Sequence, residues 1–132
     1  MTYLLDTDTC SGHIRRPAGL AHQFIQHAGR LAIPSVVLGE LRAGAHLRPD
    51  PSPLLRKIDI LLPEVRVLVF DRPCAEVFGQ VRGSLGRKGI AVASIDLMIA
   101  STALVHDLTL VTHNTAHFAR IPGLRLADWL AP

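Results

Sequence analysis

Residues 95–112, IDLMIASTALVHDLTLVT, constrain this chain more than any other stretch. Apolar side chains occupy nearly every face of 95–106, which predicts a helix buried inside the fold. Residues 108–112 follow at once as a short apolar strand, suited to the interior of a parallel sheet. The helix carries one carboxylate, Asp96, just behind Ser94, a good candidate N-cap. An acid in such a run is expensive to bury unless a partner or a metal ion neutralises it. The structural alternative is that Asp96 only stabilises the helix N-terminus.

Two more acids occupy comparable settings. Residues 3–6, YLLD, form a short strand ending in Asp6, with Asp8 two residues later. Ligands of parallel α/β sheets bind at the carboxyl ends of the strands, which makes Asp6 a candidate functional acid. Asp8 is expected to cap the helix that follows. Residues 18–27 have the pattern of an amphipathic helix with Leu20 and Phe24 on one side. Residues 30–33 read as a second strand, closed by Pro34, with Ser35 expected to cap a helix over 36–46. Glu40 lies inside that helix among Val36, Val37, Leu38 and Leu41. Gly39 and Gly44 each cost that helix about 1 kcal/mol relative to Ala. One use for such glycines is close approach of another backbone or of a ligand.

Pro49-Asp50-Pro51-Ser52-Pro53 is the strongest breaker and predicts the turn of a helical hairpin, with a returning helix over 54–62. A strand over 65–70 and a helix over 72–85 follow, then a loop over 83–89 that holds Arg87 and Lys88. That loop lacks the GxxxxGK[ST] spacing of a phosphate-binding P-loop. After the Asp96 helix and its strand, His113 and His117 stand four apart. A zinc hydrolase of the H-E-x-x-H kind needs a glutamate where Asn114 stands. A last strand is expected over 123–126, with Phe118 in the core and Trp129 and Leu130 packing the C-terminal end. The strand–helix alternation predicts an α/β sandwich with a mostly parallel central sheet.

Composition narrows the class. A chain of 132 residues predicts one domain, 1–132, able to bury a real core. With 48% hydrophobic and 19% charged residues, long disordered segments are not expected. A formal charge of +3 permits an anionic partner without requiring one. No apolar run reaches the length of a membrane span, and the N-terminus has no signal-peptide pattern. Cys10 and Cys74 make neither a CxxC pair nor a disulfide framework. These features together predict a small cytoplasmic protein.

Gathered at one sheet edge, Asp6, Glu40 and Asp96 would form an all-oxygen pocket, suited to Mg2+ or Mn2+ rather than zinc. A cation held there would activate water for attack on a phosphodiester and stabilise the developing charge. The blocks LLDTDT, PSVVLGELRAG, ASIDLMIASTAL and LTLVTHNTAHFARIPGLRLADWL together resemble the PIN-domain ribonucleases. More narrowly they resemble the VapC toxins of bacterial VapBC toxin–antitoxin systems, from about residue 1 to 130. The resemblance implies a three-layer α/β/α sandwich and Mg2+- or Mn2+-dependent endoribonuclease activity. It also implies a VapB-type antitoxin partner, a homodimer and a toxin–antitoxin hetero-oligomer, with tRNA as the RNA substrate. The family's metal-binding and catalytic acids fall on Asp6, Glu40 and Asp96. A fourth family acid falls on Asn114, a departure that bears on a second metal and leaves Asp8 to supply charge. Thr112 matches the family's hydroxyl at the end of the last catalytic strand.

Arg15, Arg16, Arg42, Arg87 and Lys88 are the candidate RNA-phosphate contacts. The six aromatic side chains fall mostly in apolar runs, which argues against a base-stacking platform. Two other functions use similar features. A receiver-type signalling domain also has an acidic Mg2+ pocket on a parallel sheet, but it needs a lysine after a late strand, and none follows 109–112. A nuclease-dead PIN-like binding module is the reading that Asn114 suggests.

Overall fold

In the computed structural model, which describes residues 1–130, five short strands form one sheet in the order β3-β2-β1-β4-β5, every neighbouring pair parallel. The strands are β1 (Tyr3–Leu5), β2 (Leu31–Pro34), β3 (Arg66–Leu68), β4 (Thr109–Val111) and β5 (Leu126–Ala127). From β1 the chain builds outward through β2 to β3, then returns to the other side of β1 for β4 and β5. Right-handed crossovers in both directions require helices on both faces, the three-layer arrangement expected of the sequence. The order reverses between β1 and β4, so the crevice at their carboxyl ends is the topological switch point. Register aligns Leu4 with Leu110 and Leu5 with Val111 across that central pair.

The helices are α1 (Thr7–Arg15), α2 (Pro17–Gln26), α3 (Ser35–His46), α4 (Ser52–Leu61), α5 (Arg72–Arg87), α6 (Ser94–His106) and α7 (Thr115–Phe118), with a 3-10 turn at Leu62–Glu64. The core is built on Leu4, Leu5, Ile33, Leu110 and Val111 from the sheet, with Leu97, Ile99 and Phe118 beside them. Helix α6 is buried along most of its length, as its sequence requires. Its two buried hydroxyls bond within the helix: Ser101 donates to Leu97 O at 2.7 Å and Thr102 to Met98 O at 2.8 Å. The helix stops at Asp107, the one non-glycine residue with positive φ (54°) among the described residues. There Leu108 N–H reaches back to Ala103 O, satisfying a carbonyl the helix end leaves open.

The structure departs from several local expectations. Asp6, not Asp8, caps α1; its side chain accepts from Thr9 N, while Asp8 is exposed in the first turn. Ser35 and Ser94 are the first helical residues of α3 and α6 rather than caps. Their helices start directly from Pro34 and Ala93 with no side-chain cap. The expected loop over 83–89 is helical as far as Arg87, because Leu85 is buried in the core and holds the last turn of α5 in place despite Gly83 and Gly86. The last strand starts at Leu126, after a turn in which Gly123 takes φ 79°. Trp129 packs the C-terminal end by stacking on His27, whereas Leu130 stays exposed. Gly39 and Gly44 have open space where a side chain would stand, so no other backbone approaches either one closely.

Cys10 and Cys74 are buried and free. Among the described residues no helix is long and apolar enough to cross a membrane.

Candidate active site at the carboxyl edge of the sheet

The crevice begins with Asp6, the residue that follows β1 and is only 5% exposed. Its backbone N–H donates to Val111 O at 3.2 Å, pinning it across the switch point. Oδ1 accepts from Thr9 N at 2.9 Å, the capping bond that starts α1. Thr112, wholly buried at the end of β4, donates its hydroxyl to the same carboxylate and accepts from Asn114 N at 3.1 Å. Burial pushes the Asp6 carboxyl above its ordinary value; the bonds from Thr112 and Thr9 oppose that rise and the charge of Asp8 adds to it. Among the described residues no cation pairs with Asp6. A buried carboxylate held only by neutral donors is poised to receive a cation.

Glu40 joins this corner through the residue after Asp6. Thr7 donates its hydroxyl to Glu40 Oε1 at 2.6 Å, tying α3 to the start of α1. Glu40 is half-buried and lines a small pocket between the two helices.

Asp96 lies in the first turn of α6, partly exposed, with His117 Nε2 3.2 Å from its Oδ2. The other ring nitrogen of His117 is 2.7 Å from the Arg120 guanidinium. A guanidinium only donates, so Nδ1 is the acceptor and the neutral ring carries its proton on Nε2, facing Asp96. That buried Nε2 is at ion-pair distance without the alignment of a hydrogen bond.

Nothing in the sequence pointed to His117 as the partner of Asp96; the signal there was only a histidine pair at zinc-like spacing. The pair in fact diverges, since His113 binds Asp128 at 3.0 Å. Asn114 precedes α7 with its side chain exposed and making no cap bond.

Among the described residues no three His, Cys, Asp or Glu side chains are close enough together to share a metal ion by direct contact. The acids are instead joined pairwise to neighbours: Asp6 to Thr112, Glu40 to Thr7, Asp96 to His117. The acids offer only hard oxygens, a chemistry that fits Mg2+ or Mn2+ with water completing the shell.

The basic candidates separate. Arg42 is committed to Asp59 at 3.0 Å. Arg87 ends α5 and Lys88 is its C-cap, both exposed; Arg16 sits at the α1–α2 junction. Arg15 shares a pocket with Glu40, together with Arg48, which no motif in the sequence singles out. A second, larger groove of about 740 Å³ lies between α1, α2 and α4. It is mostly apolar, with Ile25 (76% exposed) and Ile60 (69%) on its walls and His13 inside, stacked on Phe24 at 3.6 Å.

The PIN domain family matches residues 3–124. The tRNA(fMet)-specific endonuclease VapC of Salmonella typhimurium is 36% identical over 130 residues, covering 98% of both chains. Ribonuclease VapC2 of Rickettsia felis is 33% identical over 132 residues, again covering 98% of both chains. Among solved structures, DNA-bound VapBC from Salmonella typhimurium superposes with a TM-score of 0.94 at 36% identity over 98% of each chain. VapBC2 from Rickettsia felis, bound to a DNA fragment from its promoter, gives 0.92 at 34% identity, covering 98% of this chain and 99% of that one.

Proposed function

The chain belongs to the PIN-domain family, and we propose that it is an endoribonuclease, the toxin of a VapBC-type toxin–antitoxin pair. It hydrolyses RNA phosphodiester bonds with the help of Mg2+ or Mn2+, to which Asp6, Glu40 and Asp96 would supply oxygens directly or through water. The observation that carries the reading is Asp6: a buried carboxylate at the switch-point crevice with only neutral hydrogen-bond donors around it. The relatives' names support RNA as substrate, and that of the Salmonella typhimurium relative supports tRNA.

When bound, the divalent ion supplies positive charge that activates water and offsets the charge developing on the phosphate. The protein's own part is placement. Thr112 and Thr9 donate to Asp6 and favour its ionised form. Thr7 donates to Glu40 and orients it. His117 stands beside Asp96 with its Nε2 3.2 Å from Oδ2. Asn114 and Asp8 are exposed and serve the pocket only as outlying polar groups.

The chain acts as a single cytoplasmic domain, dimeric and inhibited in a hetero-oligomer with a VapB-type antitoxin. The VapBC complexes among its structural relatives support that partner. The apolar groove between α1, α2 and α4 is the surface such a partner would cover.

The test is cleavage of a tRNA pool by the purified chain. EDTA should stop it, and Mg2+ or Mn2+ should restore it. Asp96→Asn should fold normally and lose more than about 100-fold in rate, since changing even an outer partner of a metal ligand costs roughly 10- to 100-fold. Cleavage that persists in EDTA, or a folded Asp96→Asn protein of near-normal rate, would overturn the assignment.

A further inference from the structure

The pocket between α1 and α3 has a property that the three acids do not explain. Its volume is about 150 Å³, and its walls include Ser11 and Arg15 from α1, Glu40 and Gly44 from α3, and Arg48 just past the end of α3. On α1, Thr7, Ser11 and Arg15 are four residues apart and share one face. On α3, Glu40 and Gly44 have the same spacing, and Arg48, two residues past the end of the helix, lines the pocket with them. The Thr7–Glu40 hydrogen bond joins the two stripes at one end. Both stripes run from there to an arginine at the other.

Neither Arg15 nor Arg48 makes a side-chain hydrogen bond or ion pair among the described residues, whereas Arg42, also on α3, is taken by Asp59. Two exposed cations without partners line one small pocket that also holds one of the three acids, a charge arrangement suited to an anion. Along α1, Thr7 and Arg15 are separated by a rise of roughly 12 Å. The Arg15 end of the pocket is therefore about two helical turns from the end where Thr7 holds Glu40. Gly44 leaves its share of the pocket open, with nothing within 4 Å of where a Cβ would stand.

We propose that this pocket is a phosphate subsite: Arg15 and Arg48, with Ser11 as a hydroxyl donor, hold an RNA backbone phosphate remote from the bond being cleaved. It thereby sets how the strand lies across Glu40 and Asp6. The inference rests on the ribonuclease reading above and adds two residues to it, Arg48 and Ser11.

The experiment measures binding of a short oligoribonucleotide by fluorescence anisotropy, in EDTA so that cleavage does not intervene, across a salt series. Each single-strand phosphate contact contributes about 0.7 to the slope of log K against log salt. Arg48→Gln and Arg15→Gln should each weaken binding roughly 5- to 30-fold at moderate salt and lower that slope, by about 0.7 where one contact is lost. Gly44→Leu should fill the pocket and weaken binding while keeping or raising the melting temperature, which separates occupancy from folding. A scan of neutral methylphosphonates should find one sensitive position away from the cleaved bond in wild type. The Arg15→Gln/Arg48→Gln protein should be insensitive there.

An unchanged slope in both arginine variants would overturn the subsite. So would variants that bind RNA normally but lose affinity for an antitoxin partner, which would make the pocket a protein contact. Arginine-dependent RNA binding by a wild-type protein that cleaves nothing would instead refute the nuclease reading and leave the subsite standing.

Discussion

Asp6 concentrates the electrostatic cost of this fold in one side chain. Its carboxyl is raised by burial, so the folded protein disfavours the charged form relative to the unfolded chain. Stability associated with Asp6 is therefore fully present below its unfolded value of 3.8 and is lost as pH rises through the higher folded value. Asp6→Asn keeps an oxygen to accept from Thr9 N and removes the charge. Without metal, the variant should melt higher than wild type at pH 7, and the difference should vanish near pH 3. Melting curves at the two values in EDTA check this; a variant that is less stable at pH 7 would show that the Thr9 and Thr112 bonds outweigh burial.

At the scale of elements, helix α6 ends on Asp107 in the left-handed region, which costs an ordinary L-residue roughly 1–2 kcal/mol. Its exposed pair with Arg125, at 2.8 Å, returns little of that. Asp107→Gly should stabilise the protein by about 0.5–1 kcal/mol, read from urea denaturation with an unchanged m-value. The apolar groove between α1, α2 and α4 is a second element-scale feature. Ile25→Asp and Ile60→Asp, on exposed positions of α2 and α4, should leave stability and RNA cleavage near wild type. Each should weaken a VapB-type partner by at least about 10-fold in a binding titration, because a charge would have to be desolvated in the interface. Equal affinity in both variants would place the partner elsewhere.

For the whole molecule, the proposed metal ion would link binding to folding. The candidate acids come from three separate parts of the chain, the end of β1, α3 and α6, so any ion they share would be held only in the folded protein. A divalent ion that binds only the native state stabilises it by mass action, about 2.7 kcal/mol at 100 times its dissociation constant. Mn2+ should raise the melting temperature of wild type by several degrees, and Asp6→Asn should lose most of that shift. Calorimetry in a Mn2+ series tests this without depending on RNA cleavage.

The amino-acid sequence by itself determined whatever depends on near neighbours. The all-round apolar pattern of 95–106 made α6 a buried helix, and the prolines of 49–53 forced the α3–α4 hairpin. An acid directly after an apolar strand marked Asp6 as the edge of the sheet. Tertiary structure decided what depends on contacts between distant residues. Leu85 carries α5 through two glycines because the core receives it. Thr7 meets Glu40 across 33 positions, and His117 meets Asp96 from beyond the next strand, because parallel strands bring their helices' ends to one edge. Arg48 joins Arg15 because α3 packs along α1. Local propensity acts within a few residues, whereas the switch point between β1 and β4 is a property of the assembled sheet, and it is the sheet that sets Asp6 there and brings Thr7 to Glu40.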